Sequence, residues 1–325
     1  MWRKRLFLSL VTLLSISAFI QPALGKGYPT RPIELLCPYT PGGSFDLYSR
    51  LLSDRVTKHL GQPMVVINKP GGGGSTVAAD IISSKPDGYK LAVLANVYFY
   101  TTVKTQKVPF DPSYLIPLAN FEELKIGLQV RGDSPWKNLN ELLDYARKNP
   151  ETLRWGHSGR GLTTYMSTML VFRKVGAKTI DIPYKGAPEA ITALLGGHID
   201  AMSYPHGAVA GHTKAGTIRY LVFFSDRRYS DHPDIPCTKE LGFLEATKLR
   251  TLLGVYAHKD TPEEVKRILF DAFKKTSEDP EFKKGIENIG DEPRFGGPEF
   301  IIESIKEGEE IGVPILRELG LYVGK

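Results

Sequence analysis

Short apolar runs alternate with helix-like segments along this chain, and the connections between them are rich in glycine and proline. "PIELLCPY" (32–39), "QPMVVINKP" (62–70) and "KLAVLAN" (90–96) each read as buried strands bounded by turn residues. Between the first two lies a segment with apolar residues at Leu47, Leu51, Val56 and Leu60, closed by Gly61, which predicts a helix. Between the second and third lies "GGGGSTVAADIISSKPDGY", a glycine loop leading into a second helix. Strand–helix alternation of this kind predicts βαβ units and a parallel sheet, an α/β fold.

The pattern changes at "LIPLANFEELKIGLQV" (115–130), where apolar runs follow each other without an intervening helix. This segment is expected to leave the first domain. The α/β theme then resumes. "SPWKNLNELLDYARKNP" predicts a helix from Ser134 and Pro135 to the Asn149-Pro150 stop, followed by "TLRWGHS", "TIDIPYKG", "IDAMSYP" and "IRYLVFFS" as strands. "LLGVYAH" (252–258) reads as a return strand. "TPEEVKRILFDAFKKTSEDPEFKKGIENIG" predicts a helical stretch capped by Thr261, with Pro262 in its first turn, and "GPEFIIESIKEGEEIGVPILRELGL" a final amphipathic helix. The expected organisation is a first domain of residues 26–129 plus 250–325 and a second of 130–249. A chain that crosses and returns implies a two-part hinge.

The amino terminus has a different character. Arg3, Lys4 and Arg5 precede an uncharged apolar stretch, Leu6 to Ile20, and Ala23-Leu24-Gly25 fits a small-residue cleavage site. Residues 1–25 therefore read as an export signal peptide, too short for a membrane span of roughly 20 residues. Its removal takes away three positive charges from a net +6. No block of like charges remains to recruit nucleic acid. Cys37 and Cys237 have no metal-type spacing and read as separate buried thiols, although an exported protein could pair them.

No motif for catalysis or cofactor binding is complete. Gly71 to Gly74 sit where a dinucleotide could bind, but Thr76 stands where G-x-G-x-x-G needs glycine, and no Gly-Lys-Ser/Thr follows. "WGHSGRG" approaches a nucleophile elbow around Ser158, but Arg160 occupies the second glycine position. The seven histidines show no ligand spacing. No cofactor and no metal is expected.

What recurs is a strand–glycine loop–helix junction, at 39–46 and again at 156–165, one in each expected domain. Each presents free backbone N–H groups at a helix start, which favours anions such as carboxylates. Tyr39, Phe45, Tyr98 and Tyr204 either shape a pocket there or pack in the core.

The segments "YPTRPIELLCPYTPGGSFDLYSRLL", "IDIPYKGAPEAITALLGGHIDAM", "RRYSDHPDIPCTKELGF" and "LLGVYAHKDTPEEV", in this order, resemble the substrate-binding proteins of tripartite tricarboxylate transporters, the TctC-like or Bug family. The resemblance covers nearly all of the chain after residue 25. It implies a two-domain periplasmic-binding-protein fold of type II-like form, with a ligand cleft between the domains and two crossing hinge strands. It implies a monomeric periplasmic receptor that takes a small carboxylate and delivers it to membrane subunits, not an enzyme. The carried-over ligand loops are Tyr39, Thr40, Gly42, Gly43, Ser44, Phe45 and Asp46 on one side. On the other are His157, Ser158, Arg160, Gly161, Thr163 and Thr164, with Tyr204 nearby. Asp46 either caps the first helix or touches ligand. Leu162 and Tyr165 stand where the family commonly has a hydroxyl and a histidine, and Arg160 either engages a second carboxylate or points to solvent. An exported serine hydrolase using Ser158, and a sensor presenting the same cleft to a signalling partner, are the competing readings.

Overall fold

A computed structural model describes residues 27–324; the expected signal peptide lies outside the described residues. Among the described residues, eleven strands form two sheets. The first sheet holds β1 (Ile33–Cys37), β2 (Met64–Asn68), β3 (Lys90–Ala95), β4 (Leu115–Glu123), β10 (Leu252–His258) and β11 (Glu292–Gly296), in the order β11-β4-β10-β3-β1-β2. The second holds β5 (Ile126–Arg131), β6 (Arg154–His157), β7 (Ile180–Pro183), β8 (Ala201–Pro205) and β9 (Ile218–Phe223), in the order β7-β6-β8-β5-β9. β1 pairs in parallel with both β2 and β3, and β6 with both β7 and β8. Helices on the two faces explain the buried apolar character of these strands. Ile33 and Leu35 of β1 point to one core, Leu36 to another, as strand alternation requires.

The chain changes sheet between β4 and β5, at Leu124-Lys125, within the segment expected to leave the first domain. It returns at Thr251, just before β10, which lies antiparallel to β3 and β4. The two crossings touch: the Leu124 N–H donates to the Thr251 carbonyl at 2.9 Å. The carboxy-terminal helix Pro298–Glu318 bridges the lobes. Its Ile301 packs in a first-lobe cluster and its Ile315 in the second-lobe core.

Three local expectations change. The helix expected from Ser134 begins at Leu139, capped by Asn138, whose side-chain oxygen accepts from the Glu141 N–H. The preceding stretch is held as a loop because Arg219 takes up its carbonyls, at Gly132, Ser134, Trp136 and Lys137. The helical stretch after 261 is two helices, Glu263–Glu278 and Pro280–Ile289. It breaks where Pro280 cannot continue the ladder, and Asp279 caps the second helix by accepting from the Glu281 N–H. Pro262, not Thr261, occupies the cap position of the first. Cys37 and Cys237 are free buried thiols.

Candidate functional site

β1 ends at Cys37, and "PYTPGGSFD" turns sharply into the helix Ser44–Leu60. Gly42 has φ +89°, a left-handed conformation that glycine adopts without strain. Asp46 sits almost fully buried in the first turn. It accepts from the Gly42 N–H at 2.9 Å, from Asn68 Nδ2 at 2.8 Å and from Arg50 Nε at 3.0 Å. Burial opposes its ionisation, but the bonds from Arg50, Gly42 and Asn68 outweigh burial and hold its pKa down at about 2. Beside the two roles expected for Asp46, the geometry adds one: it fastens the loop to its own helix and to β2. The cap position is Gly43, with no side-chain bond to the helix end.

The second junction is built alike. β6 ends at His157, and the helix Thr163–Lys174 begins after the cap residue Leu162, again with no side-chain cap. The Ser158 and Thr164 hydroxyls lie 2.7 Å apart. The Thr163 hydroxyl reaches Thr251 of the return crossing at 3.1 Å. The N–H groups at the start of each helix precede the first intrahelical bonds, so each end carries unpaired donors and the positive pole of its helix.

These two helix starts face one cavity of about 280 Å³. Tyr39, Phe45, Ser158, Thr163 and Thr164 line it, and Tyr39 and Phe45 meet edge to face at 4.6 Å. Other expected residues lie behind its wall. His157 is buried; the Gly159 N–H donates to its Nδ1, which places its proton on Nε2, 3.1 Å from Asp181. Burial holds the His157 pKa below its ordinary value despite the opposing bond to Asp181. Arg160 forks onto Asp181 at 2.8 and 3.0 Å. Gly161 sits against the carboxy-terminal helix, where an added Cβ would meet Leu316 at 2.9 Å. Tyr204 is buried in the second-lobe core, its amide and carbonyl bonded to Gln129. Thr40, Gly42 and Gly43 form the loop, and Ser44 and Asp46 the first helical turn, around the lining residues Tyr39 and Phe45.

Further wall residues come from elements without a motif: Leu94 and Ala95 at the end of β3, Val97, Tyr98, Thr101 and Thr102 after it, and Leu124, Ile126 and Thr251 at the crossings. Only Tyr98 among them stood out in the sequence, as an aromatic. The four-glycine run packs closely here. A Cβ on Gly74 would lie 2.9 Å from Leu94, so these glycines let the helix Ser75–Ser83 approach β3.

Two arrangements of reactive groups remain. Both ring nitrogens of His157 are engaged away from Ser158, so His157 supplies no base to that hydroxyl. His206, Asp231 and His232 have potential metal-ligand atoms within 4.8 Å of one another. They lie outside the cavity lining, and Lys125 already engages Asp231 at 2.6 Å.

Two α/β lobes joined by paired crossings, with helix starts converging on a cavity between them, define a solute-binding protein of the periplasmic type. The model of the tripartite tricarboxylate transporter family receptor, TctC, matches residues 48–321, and the chain belongs to that family. It is 34% identical over 316 residues to the UPF0065 protein in the gbd 5' region of Cupriavidus necator, covering 95% of this chain and 93% of that one. A TctC solute-binding protein from Polaromonas superposes with a TM-score of 0.79 at 29% identity, over 90% of this chain and 100% of the other. The R. palustris protein Rpa4515, in a structure with adipate, superposes with a TM-score of 0.75 at 25% identity, over 90% and 99%. Among the described residues no helix is long and apolar enough to cross a membrane.

Proposed function

We propose that this protein captures a small organic acid in the interlobe cavity, closes on it, and delivers it to the membrane subunits of a tripartite tricarboxylate-type secondary transporter. The observation that carries this reading is the meeting of two uncapped helix starts, at Ser44 and Thr163, beside the hydroxyls of Ser158, Thr163 and Thr164. Donors from two lobes satisfy one carboxylate only when the lobes are close, so binding shifts an open–closed equilibrium. Each helix start contributes about 0.3–2 kcal/mol toward an anion. The bodies that move in this reading are the first sheet with its helices and the second sheet with its helices, hinged at Leu124-Lys125 and Thr251; the expected boundary after residue 129 would cut through β5 (Ile126–Arg131), which belongs to the second sheet. The adipate in Rpa4515 supports a carboxylate ligand.

The competing hydrolase reading lacks a base for Ser158 from His157. A thermal-shift screen of organic acids against the purified protein, run beside labelling with a serine-directed fluorophosphonate, tests the proposal. Stabilisation that rises with acid concentration by mass action is expected, without labelling of Ser158. Labelling together with ester turnover, and no stabilisation by any acid, overturns it. Uptake assays with the membrane subunits separate a transport receptor from a sensor with the same cleft.

A further inference from the structure

The two crossings turn one face to the cavity and the other away from it. Leu124, Ile126 and Thr251 line the cavity. Glu123, Lys125 and Arg250 alternate with them along the chain and point to the opposite side. There, each meets a residue from one short stretch of the second lobe, Asp226 to Asp231, which follows β9. Lys125 bonds to Asp231 at 2.6 Å, Arg250 to Asp226 at 2.7 Å, and the Tyr229 hydroxyl lies 3.4 Å from Glu123.

Asp226 is the centre of this set. Arg294 of β11, in the first lobe, forks onto it, Nη1 to Oδ1 at 3.0 Å and Nη2 to Oδ2 at 2.9 Å, and also reaches Glu123. The neighbouring Arg227 reaches Glu292 of β11 at 3.5 Å. Burial opposes the ionisation of Asp226, but the bond from Arg294 and the charges of Arg294, Arg250 and Arg227 outweigh it and hold its pKa at about 2. Residues 226, 227, 229 and 231 therefore all bond to the first lobe or to a crossing, and neither they nor these partners line the cavity. A hinge reverses the sense of motion across its axis. Rotation that brings the two helix starts together on the cavity side draws apart the surfaces behind the crossings. Bonds behind the hinge are strongest with the cavity open and are stretched as it closes, so ligand binding works against them. A two-point arginine–carboxylate pair is sensitive to such a displacement, because both bonds need one geometry.

We infer that the stretch 226–231 is a strap behind the hinge that favours the open cavity and so sets the affinity for ligand, with Asp226 and Arg294 as its central pair. Both are positioning residues: they touch no ligand and act through the open–closed equilibrium. This rests on the proposed receptor reading and adds what opposes closure. The test is calorimetric titration with adipate, malate, citrate and phenylacetate, beside chemical denaturation, of the parent and three variants. Asp226→Asn gives up the charge that Arg294 and Arg250 grip. It is expected to unfold more readily and yet to bind the tightest of these acids at least about fivefold more tightly, because closure is less opposed. Arg227→Gln, at the half-exposed edge of the strap, should shift affinity in the same direction by less. Asp200→Asn breaks an ion pair with Arg154 that lies wholly within the second lobe, 2.9 Å long, and should leave affinity within about twofold. Lower stability with higher affinity is a combination that a purely structural pair does not give. Equal or weaker binding by Asp226→Asn and Arg227→Gln, in variants that still unfold cooperatively, overturns the strap and leaves the receptor reading standing. So does an equal gain in Asp200→Asn. If Asp226→Asn does not fold, the sign of the change in Arg227→Gln decides. Absence of binding by every acid, to parent and variants alike, overturns both.

Discussion

The Arg160 guanidinium forks onto the Asp181 carboxylate, Nε to Oδ2 at 2.8 Å and Nη2 to Oδ1 at 3.0 Å, and the same Oδ2 receives His157 Nε2 at 3.1 Å. Arginine is suited to this two-point bond. The pair fixes the back of the second loop, and Arg160 has no position in the cavity wall. The Arg160→Ala variant is therefore expected to bind its acid within about threefold of the parent. Its stability should fall by no more than about 1 kcal/mol, the range for an ion pair with one exposed partner. Titration calorimetry and chemical denaturation check this. A loss of affinity beyond tenfold with unchanged stability would place Arg160 on the ligand.

Neighbouring glycines of the first loop make different demands. Gly42 has φ +89°, whereas Gly43 has φ −83° and its nearest neighbour to an added Cβ is the Thr40 carbonyl at 3.9 Å. Gly42→Ala is expected to cost about 1–2 kcal/mol of stability, because an L side chain is strained in the left-handed region. Gly43→Ala should leave stability within about 0.5 kcal/mol. It should still weaken ligand binding by about tenfold, since the Cβ intrudes where the ligand approaches the helix start. Paired melting and titration experiments separate the two effects.

Asp46 holds the same loop from the inside. Replacement by Asn keeps the shape but gives up the charge that binds Arg50 and one of the oxygens shared between Gly42 and Asn68. The Asp46→Asn variant is expected to lose about 1–3 kcal/mol, the scale for buried bonds to a charged group, and to bind ligand more weakly through a loosened loop. The folded-state pKa of about 2 lies below the ordinary carboxylate value, so the stabilisation is present above pH 4 and disappears as pH falls through about 2. Ligand affinity that drops between pH 7 and 5 because of Asp46, seen in the parent and absent in the variant, would contradict this assignment.

The junctions at 39–46 and 156–165 were readable because glycine, proline and hydroxyl residues mark a strand-to-helix turn wherever it occurs. The alternation of apolar runs was enough for two α/β units and for the crossing near Leu124. The helix start at Leu139 was not readable, since it depends on Arg219, some eighty residues away in sequence, claiming the carbonyls of the preceding loop. Strand β11 escaped for a similar reason: "EPRFG" has neither alternation nor β-branched residues, and it pairs with β4 only because the sheet offers it an edge. Much of the cavity wall was equally silent. Leu94, Leu124 and Ile126 are ordinary core residues in sequence, and only the convergence of three strand ends turns them toward the cavity.

Two buried groups near the crossings titrate in opposite senses, and together they predict the pH dependence of stability. His206 is held at about 4, below the ordinary 6.5, by burial first and then by the charges of His232 and Lys125. Between about pH 4 and 6.5 the unfolded chain binds a proton that the folded chain refuses, so this residue makes stability rise with pH across that window. Glu122, at the end of β4, is fully buried with both carboxylate oxygens lacking a partner among the described residues. Burial, and then the nearby charge of Asp291, raises its pKa well above the ordinary carboxylate value. The folded chain therefore keeps a proton that the unfolded chain releases above about pH 4.5, and Glu122 makes stability fall as pH rises. The two slopes oppose each other from about pH 4.5 to 6.5. Glu122→Gln, which preserves shape and removes the titration, is expected to stabilise the protein at pH 7 by at least about 1 kcal/mol and to steepen the rise between pH 4.5 and 6.5. His206→Gln is expected to flatten or invert that rise. Denaturation midpoints measured from pH 4.5 to 8 on the parent and both variants decide the matter: parallel curves for all three would show that neither group carries the pH dependence.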